Sequence, residues 1–472
     1  MKGDCFTNRE QKDMSNLHTH DNKRSSFSGK LGYVLSAAGA SVGLGNIWRF
    51  PYLAAKYGGG IFLLIYILLA LTFGYTMIMA ESALGRMTRK SPVGAFQAFG
   101  KAGWLSAGGW INAIIPVLIV PYYSVIGGWV IKYLIEYIRG NGKMLAADGY
   151  FSEFISDGVS TELCFILFCL FTLTIIYAGV RNGIERVSKM MMPVLVVLSV
   201  VIAIYSVTRP GAIAGVKYFL VPNVKNFSWM TVVAAMGQMF YSLSIAMGIL
   251  ITFGSYMKKD TSIEDATRNV EVFDTAIAIM AGLMIIPAVY VFMGRDGMSA
   301  GPGLMFISLP KVFNEMGIAG DIVGLIFFMI VAFAAVTSSV SIMEAIVSSL
   351  IDRFHWSRRK SAILVTVYGL IAEIIVCLGY NKLYMEVKLP NGTVGQILDI
   401  MDYVSNNVLM PIVALATCIL VGWIVSPKVI IDEVTRGGSK FTRKGLYIIM
   451  VKFIAPAFLL ILLLQALGIV TF

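Results

Sequence analysis

Eleven stretches of mostly apolar residues, each long enough to cross a lipid bilayer, follow one another along this chain. They run over 31–56, 60–84, 106–138, 162–180, 187–208, 229–256, 270–293, 321–351, 361–380, 395–424 and 446–470. A spanning helix needs about 20 such residues. In hydrocarbon every backbone N–H and C=O must be bonded within the protein, so runs of this length fold as helices. Composition agrees: 57% of residues are hydrophobic and 14% charged, with a mean hydropathy of +0.77, against about 25% charged residues in soluble domains. The expected fold class is an all-α polytopic membrane protein.

The net charge of +11 does not form a nucleic-acid surface, because the basic residues are spread over short loops between the apolar runs. Counted with the N-terminus inside, cytoplasmic segments hold 25 Lys and Arg and outer loops hold 11, while Arg49 and Lys452 lie within spans. The positive-inside rule then puts the N-terminus in the cytoplasm and, after eleven spans, the C-terminus outside an inner or plasma membrane. The division expected is a tail (1–30), a first five-helix repeat (31–208), an outer loop (209–228), a second five-helix repeat (229–424), a cytoplasmic loop (425–445) and an eleventh helix (446–472). The polar tail lacks the cleavage signature of a signal peptide. Cys5, Cys164, Cys169, Cys377 and Cys418 have no zinc spacing. An enzyme within the membrane would need a nucleophile with a base, and no such arrangement lies in a span. A channel would need a ring of acids or a carbonyl filter, and neither motif is present.

Two spans are unlike the rest. The first contains Gly39-Ala40-Ser41-Val42-Gly43-Leu44-Gly45-Asn46, and the sixth contains Ser242-Leu243-Ser244-Ile245-Ala246-Met247-Gly248. Three glycines within seven residues make a continuous helix costly, and unwound backbone survives in a bilayer only where it lines a polar cavity. These spans open two five-span halves, 1–5 and 6–10. Interrupted helices at matching positions of two halves point to a transport site; the leucine-transporter fold is the known example of that rule.

The ordered motifs carry a resemblance. Leu31-Gly32 and Gly39 through Asn46-Ile47-Trp48-Arg49-Phe50-Pro51-Tyr52 are followed by Gly58-Gly59-Gly60, Glu81, Gly85-Arg86 and Tyr122-Tyr123. Then come Gln238-Met239-Phe240-Tyr241-Ser242-Leu243-Ser244, Thr337-Ser338-Ser339 and Asp399-Ile400-Met401-Asp402. The series resembles the neurotransmitter:sodium symporters, in the eleven-span form of many bacterial members. The resemblance implies an inverted five-helix repeat with unwound helices 1 and 6. It also implies two Na⁺ sites: one formed by the Ser41 carbonyl, Asn46, Ser242, Asp274 and the substrate carboxylate; the other by carbonyls of Gly39, Val42 and Ala334 with the hydroxyls of Thr337 and Ser338. Sodium, a hard cation, takes oxygen ligands. Packing within or between helices is the alternative for Asn46 and for the hydroxyls.

Helix N-termini favour anions. The free N–H groups of Leu44 and Gly45, with the Tyr123 hydroxyl, are expected to hold a carboxylate. The carbonyls of Ser41, Tyr241 and Ser242 and the Ser244 hydroxyl are expected to hold an ammonium. Monoamine-carrying relatives place an Asp where Gly43 stands, so here the substrate must bring its own carboxylate. The pocket implied by resemblance is Ile119, Tyr123, Tyr241, Met247, Ser338 and Ile342. It has no charge to meet a charged side chain, so a neutral, hydrophobic or aromatic amino acid is expected. Asp274 and Ala278 stand where many relatives have the Asn and Ser that help bind chloride. An acid in a span is usually functional, and here the fixed carboxylate is expected to make chloride unnecessary. Arg49 with Asp402 is the expected outer gate. Arg24 with Asp352, beside Tyr256, is the expected inner gate, and Glu81 is read as a brace for the unwound segments. Phe27 stands where relatives usually have Trp, which predicts a looser tail. The alternative function is a proton-coupled amino-acid carrier of similar architecture, relaying protons through Glu344 and Glu373.

Overall fold

The computed structural model describes residues 25–100, 103–294 and 303–470. Arg24 lies outside the described residues. Thirteen helical segments make up the eleven spans. The first span is α1 (Lys30–Ser41) and α2 (Phe50–Lys56), joined by a wide turn over Gly45–Arg49. Next come α3 (Gly60–Thr88), α4 (Gly103–Ile138), α5 (Gly158–Ala178) and α6 (Val180–Val207). The sixth span is again divided, into α7 (Trp229–Ser242) and α8 (Ile249–Tyr256). The rest are α9 (Ile263–Met293), α10 (Ile318–Phe354), α11 (Arg358–Leu378), α12 (Ile397–Ile424) and α13 (Lys444–Ala466). Among the described residues the only sheet is a small hairpin in the loop before α12, with Val387–Lys388 antiparallel to Val394–Gly395.

The architecture is therefore the expected inverted repeat, α1–α6 against α7–α12, with α13 added. The divided spans occupy the middle. Residues 32–47 of the first are all buried, as are those of the break in the sixth. Lipid-facing rows lie on the outer helices, for example Leu163, Leu167 and Leu170 on α5 and Val194, Val197 and Val201 on α6. Large apolar residues exposed in such rows suit hydrocarbon, not water.

Without a hydrophobic drive between helices in lipid, close packing comes from small residues. At the α3–α8 contact the two backbones touch. A Cβ on Gly85 would stand 2.0 Å from the Ile251 carbonyl oxygen, and one on Gly254 would stand 2.4 Å from the Ser82 carbonyl oxygen. Charged residues fasten one end of the bundle. Arg86, at the end of α3, is 2% exposed. Its Nε donates to Glu433 Oε1 at 2.7 Å and its Nη1 to the Thr261 carbonyl at 2.6 Å; its Nη2 also reaches the Glu433 carbonyl. One guanidinium thus ties α3 to the loop before α9 and to the short helix Pro427–Val434.

Removing one partner of a buried ion pair leaves the other charge unpaired, which costs about 3–5 kcal/mol. Arg86→Ala is expected to lower stability by less than that in a detergent unfolding assay, because Arg436 Nη1 stays 3.2 Å from Glu433 Oε2. Arg86→Met with Glu433→Leu is expected to recover most of the loss.

Candidate functional site

The breaks in the two divided spans face each other. In the first, α1 stops at Ser41 and Val42 leaves helical geometry at φ −77°, ψ 89°. In the second, Ser244, Ala246 and Gly248 have φ of +54°, +61° and +72°. That region is unfavourable for residues with a side chain, so other contacts must fix it. Glu81, on α3, accepts from the Ala246 N–H at 2.9 Å, the bracing role read from sequence. Ser244 Oγ donates to the Ala40 carbonyl at 3.1 Å, and Gln238 Nε2 to the Gly45 carbonyl at 2.8 Å. Side chains of the sixth span thus satisfy backbone of the first, and Glu81 of α3 satisfies backbone of the sixth.

Between the breaks lies a small cavity, with free space of about 20 Å³, lined by Ala40, Ser41, Gly43, Gly45, Ile119, Tyr123, Tyr241, Ser244, Met247, Ser338 and Ile342. Of the residues expected around a substrate, Leu44 and Ser242 do not line it. Leu44 is fully buried, and its N–H donates to the Tyr123 hydroxyl at 3.3 Å. Ser242 turns away toward Asp274. Ala40 and Gly43 join the wall instead. Gly43 has no room for a side chain, since a Cβ would stand 2.4 Å from Ser338 Oγ and 2.9 Å from the Tyr123 hydroxyl.

Two oxygen-rich clusters adjoin this cavity. In one, Asp274 on α9 gathers three donors: Asn46 Nδ2 at 2.8 Å and Ser242 Oγ at 2.7 Å reach Oδ1, and the Tyr66 hydroxyl reaches Oδ2 at 2.7 Å. All four residues are fully buried. Tyr66 was missed in the sequence because one hydroxyl-bearing ring in an apolar run carries no mark of its partner. In the other, Ser338 Oγ on α10 donates to the carbonyls of Gly39 and Ala40 at 3.1 Å each and approaches that of Val42 at 3.5 Å. Thr337 Oγ1 donates to the carbonyls of Phe333 at 3.0 Å and Ala334 at 3.2 Å. A Cβ on Gly39 would stand 3.2 Å from Thr337 Cβ and 3.3 Å from Ser188 Oγ. Gly39, Val42, Ala334, Thr337 and Ser338 are therefore one neighbourhood, with Ser188 of α6 beside it. The Ser41 hydroxyl points back to the Ala37 carbonyl at 3.1 Å.

The two ends of the bundle differ. At one end Arg49 and Asp402 both line a cavity with Tyr52, Tyr122 and Tyr241. The Arg49 guanidinium sits 5.1 Å from the centre of the Tyr241 ring, and Asp402 accepts from Asn406 Nδ2. At the other end Asp352 accepts from the Ser91 N–H at 2.5 Å. The Tyr256 hydroxyl donates to Glu344 at 2.7 Å, and Arg358 grips the same carboxylate. Glu344 is thus engaged in an ion pair joining α10 and α11. Glu373 lies in α11 against Gly369, away from the central cavity. Phe27 is 1% exposed and packs edge-on against Tyr33, Phe253 and Tyr256, while its N–H donates to the Tyr256 carbonyl at 3.1 Å. Phe27 thus packs against α1 and α8, and the tail before Ser25 lies outside the described residues.

Across residues 24–145 and 151–471 the sequence matches the pattern of the sodium:neurotransmitter symporter family. It is 32% identical over 457 residues to an uncharacterised sodium-dependent transporter, YhdH, of Bacillus subtilis, covering 94% of this chain and 98% of that one. With the human sodium- and chloride-dependent GABA transporter 2 it shares 26% identity over 467 residues, 87% of this chain and 75% of that one. Among solved structures, that of MhsT in complex with L-phenylalanine matches with a TM-score of 0.85 and 34% identity, over 94% of this chain and 100% of that one.

The Glu81 contact yields a direct test. Glu81→Ala leaves the Ala246 N–H without its acceptor, a loss of about 1–3 kcal/mol. Glu81→Gln keeps a carbonyl there. The alanine variant is expected to melt well below wild type in detergent, and the glutamine variant close to it.

Proposed function

This chain belongs to the sodium:neurotransmitter symporter family, and from that premise we propose that it imports a neutral, hydrophobic or aromatic amino acid together with sodium. The observation that carries this reading is the central cavity. Backbone from two broken helices, two tyrosines and small hydroxyls surround it, and no charged side chain lines it. Such walls suit a zwitterion with an uncharged side chain and disfavour an unpaired charge. The likeness to MhsT, whose structure holds L-phenylalanine, supports a cargo of that kind.

In this reading the carboxylate of the amino acid binds at the Leu44 and Gly45 N–H groups and the Tyr123 hydroxyl, where a helix starts. Its ammonium meets the carbonyls of Ser41, Tyr241 and Ser242 and the Ser244 hydroxyl. Met247, an adaptable side chain on irregular backbone, fits rings of different size. Two sodium ions travel with the cargo, one at the Asn46, Ser242, Asp274 cluster with the Ser41 carbonyl, the other between Gly39, Val42, Ala334, Thr337 and Ser338. The second ion bridges α1 and α10 and so favours states in which they stay together. A ligand shifts a conformational equilibrium only through its different affinity for the two states. Arg49, Asp402 and the tyrosine lid close the outer side. Tyr256, with Asp352 and Glu344, holds the inner side until sodium leaves. The N-terminus faces the cytoplasm in this scheme, following the distribution of Lys and Arg.

Uptake into proteoliposomes from a panel of the twenty amino acids tests the reading. Hydrophobic and aromatic amino acids are expected to enter at least tenfold faster than lysine or glutamate, and replacing Na⁺ by K⁺ is expected to abolish entry. Sodium-independent entry, or a preference for a charged side chain, overturns it.

Asp274 adds a second expectation. Its fixed negative charge offsets two cations in a poorly screened interior, and Ala278, one turn along α9, supplies no hydroxyl of its own to help hold an anion. Replacing chloride by gluconate at constant Na⁺ is expected to leave uptake unchanged. Asp274→Asn with Ala278→Ser is expected to make uptake rise with chloride.

A further inference from the structure

One buried amide stands between the central cavity and the inner one. Asn112, on α4, is fully buried, and among the described residues neither Oδ1 nor Nδ2 has a hydrogen-bond partner. An unsatisfied buried amide is unfavourable and calls for an explanation. Asn112 precedes Ile119 of the cavity wall by seven residues, which puts both on one face of α4, two turns or about 10 Å apart.

The neighbours of Asn112 define the partition. A Cβ on Gly248 would stand 3.1 Å from Asn112 Oδ1 and 2.9 Å from Pro92 Cγ. Gly248 directly follows Met247 of the central cavity, and it is the last of the three left-handed residues before α8 begins. Pro92 directly follows Ser91, which lines the inner cavity with Asp352 and Tyr256. The close contact of Gly248 with Pro92 and Asn112 therefore closes the short path from one cavity to the other.

We propose that Asn112 is a second, transient binding position for the transported amino acid on its way to the inner side. Movement of the Leu243–Gly248 segment uncovers the amide. Nδ2 then donates to the carboxylate of the cargo, and Oδ1 accepts from its ammonium. The unmatched amide is unfavourable in the closed state and is satisfied only during passage, so it lowers the barrier to release without adding to binding in the central cavity. The inference rests on the amino-acid reading of that cavity.

Asn112→Leu keeps nearly the same volume and removes both polar atoms; Asn112→Ser keeps one hydroxyl. The probe is the radiolabelled amino acid that wild type takes up fastest in the panel above. Equilibrium binding to the purified leucine variant in Na⁺ is expected to stay within twofold of wild type. Its exchange rate in proteoliposomes is expected to fall at least tenfold, with part of the rate restored in the serine variant. An exchange rate at the wild-type level overturns the proposal, as does binding that falls in proportion to rate. If the leucine variant does not fold, the serine variant decides alone: normal binding with slowed exchange supports the proposal, and normal exchange overturns it. Absence of sodium-dependent binding in wild type overturns the amino-acid reading, and this inference with it.

Discussion

Broken helices inside a bilayer leave backbone groups that water cannot reach, and the rest of this structure is arranged around that constraint. The first and sixth spans each give up continuous hydrogen bonding at mid-depth. The exposed groups are met by a few side chains placed on other helices: Glu81 on the Ala246 N–H, Gln238 on the Gly45 carbonyl, Ser338 on Gly39 and Ala40, and Tyr123 on the Leu44 N–H. Each bond crosses from one element to another. The breaks therefore cannot form before the surrounding helices have packed, and those helices are held in register by the breaks.

The same constraint explains what could be read from sequence. Long apolar runs admit one solution in lipid, so all eleven spans were legible, with ends close to those observed. Glycines and hydroxyls at mid-membrane depth marked the two breaks for the same reason. What lay beyond reach were partners distant in the chain. Nothing local says that Tyr66 turns to Asp274, that Arg86 meets Glu433, or that Glu344 is held by Arg358 rather than left to relay protons. Ser242 shows a finer limit. It was expected in two places, beside Asp274 and, through its carbonyl, at the cavity; its hydroxyl reaches Asp274, while the residue does not line the cavity. The hairpin over Val387–Lys388 and Val394–Gly395 escaped notice because strands of two residues carry no periodicity.

Ionisable residues within the spans follow a related logic. An isolated charge in low dielectric is expensive, and pairing or hydrogen bonding offsets the expense. Arg86 and Arg358 are placed where carboxylates await them. Asp274 takes three neutral donors instead, which leaves its negative charge uncancelled by any cationic side chain in its hydrogen-bonded circle. A carboxylate held in that way suits a position where positive charge comes and goes.

The contact between α3 and α8 bears on how such a machine avoids slipping. With carbonyl oxygens where the Cβ atoms of Gly85 and Gly254 would be, there is no layer of side chains between the helices to act as a cushion. Interlocked surfaces of that kind do not slide or roll past each other without first separating. Movement of one helix is therefore coupled to movement of the other where they touch. Larger residues at these two positions would introduce play into the linkage, and a carrier with play can open one side before the other has shut. Two absent methyl groups thus keep this joint tight.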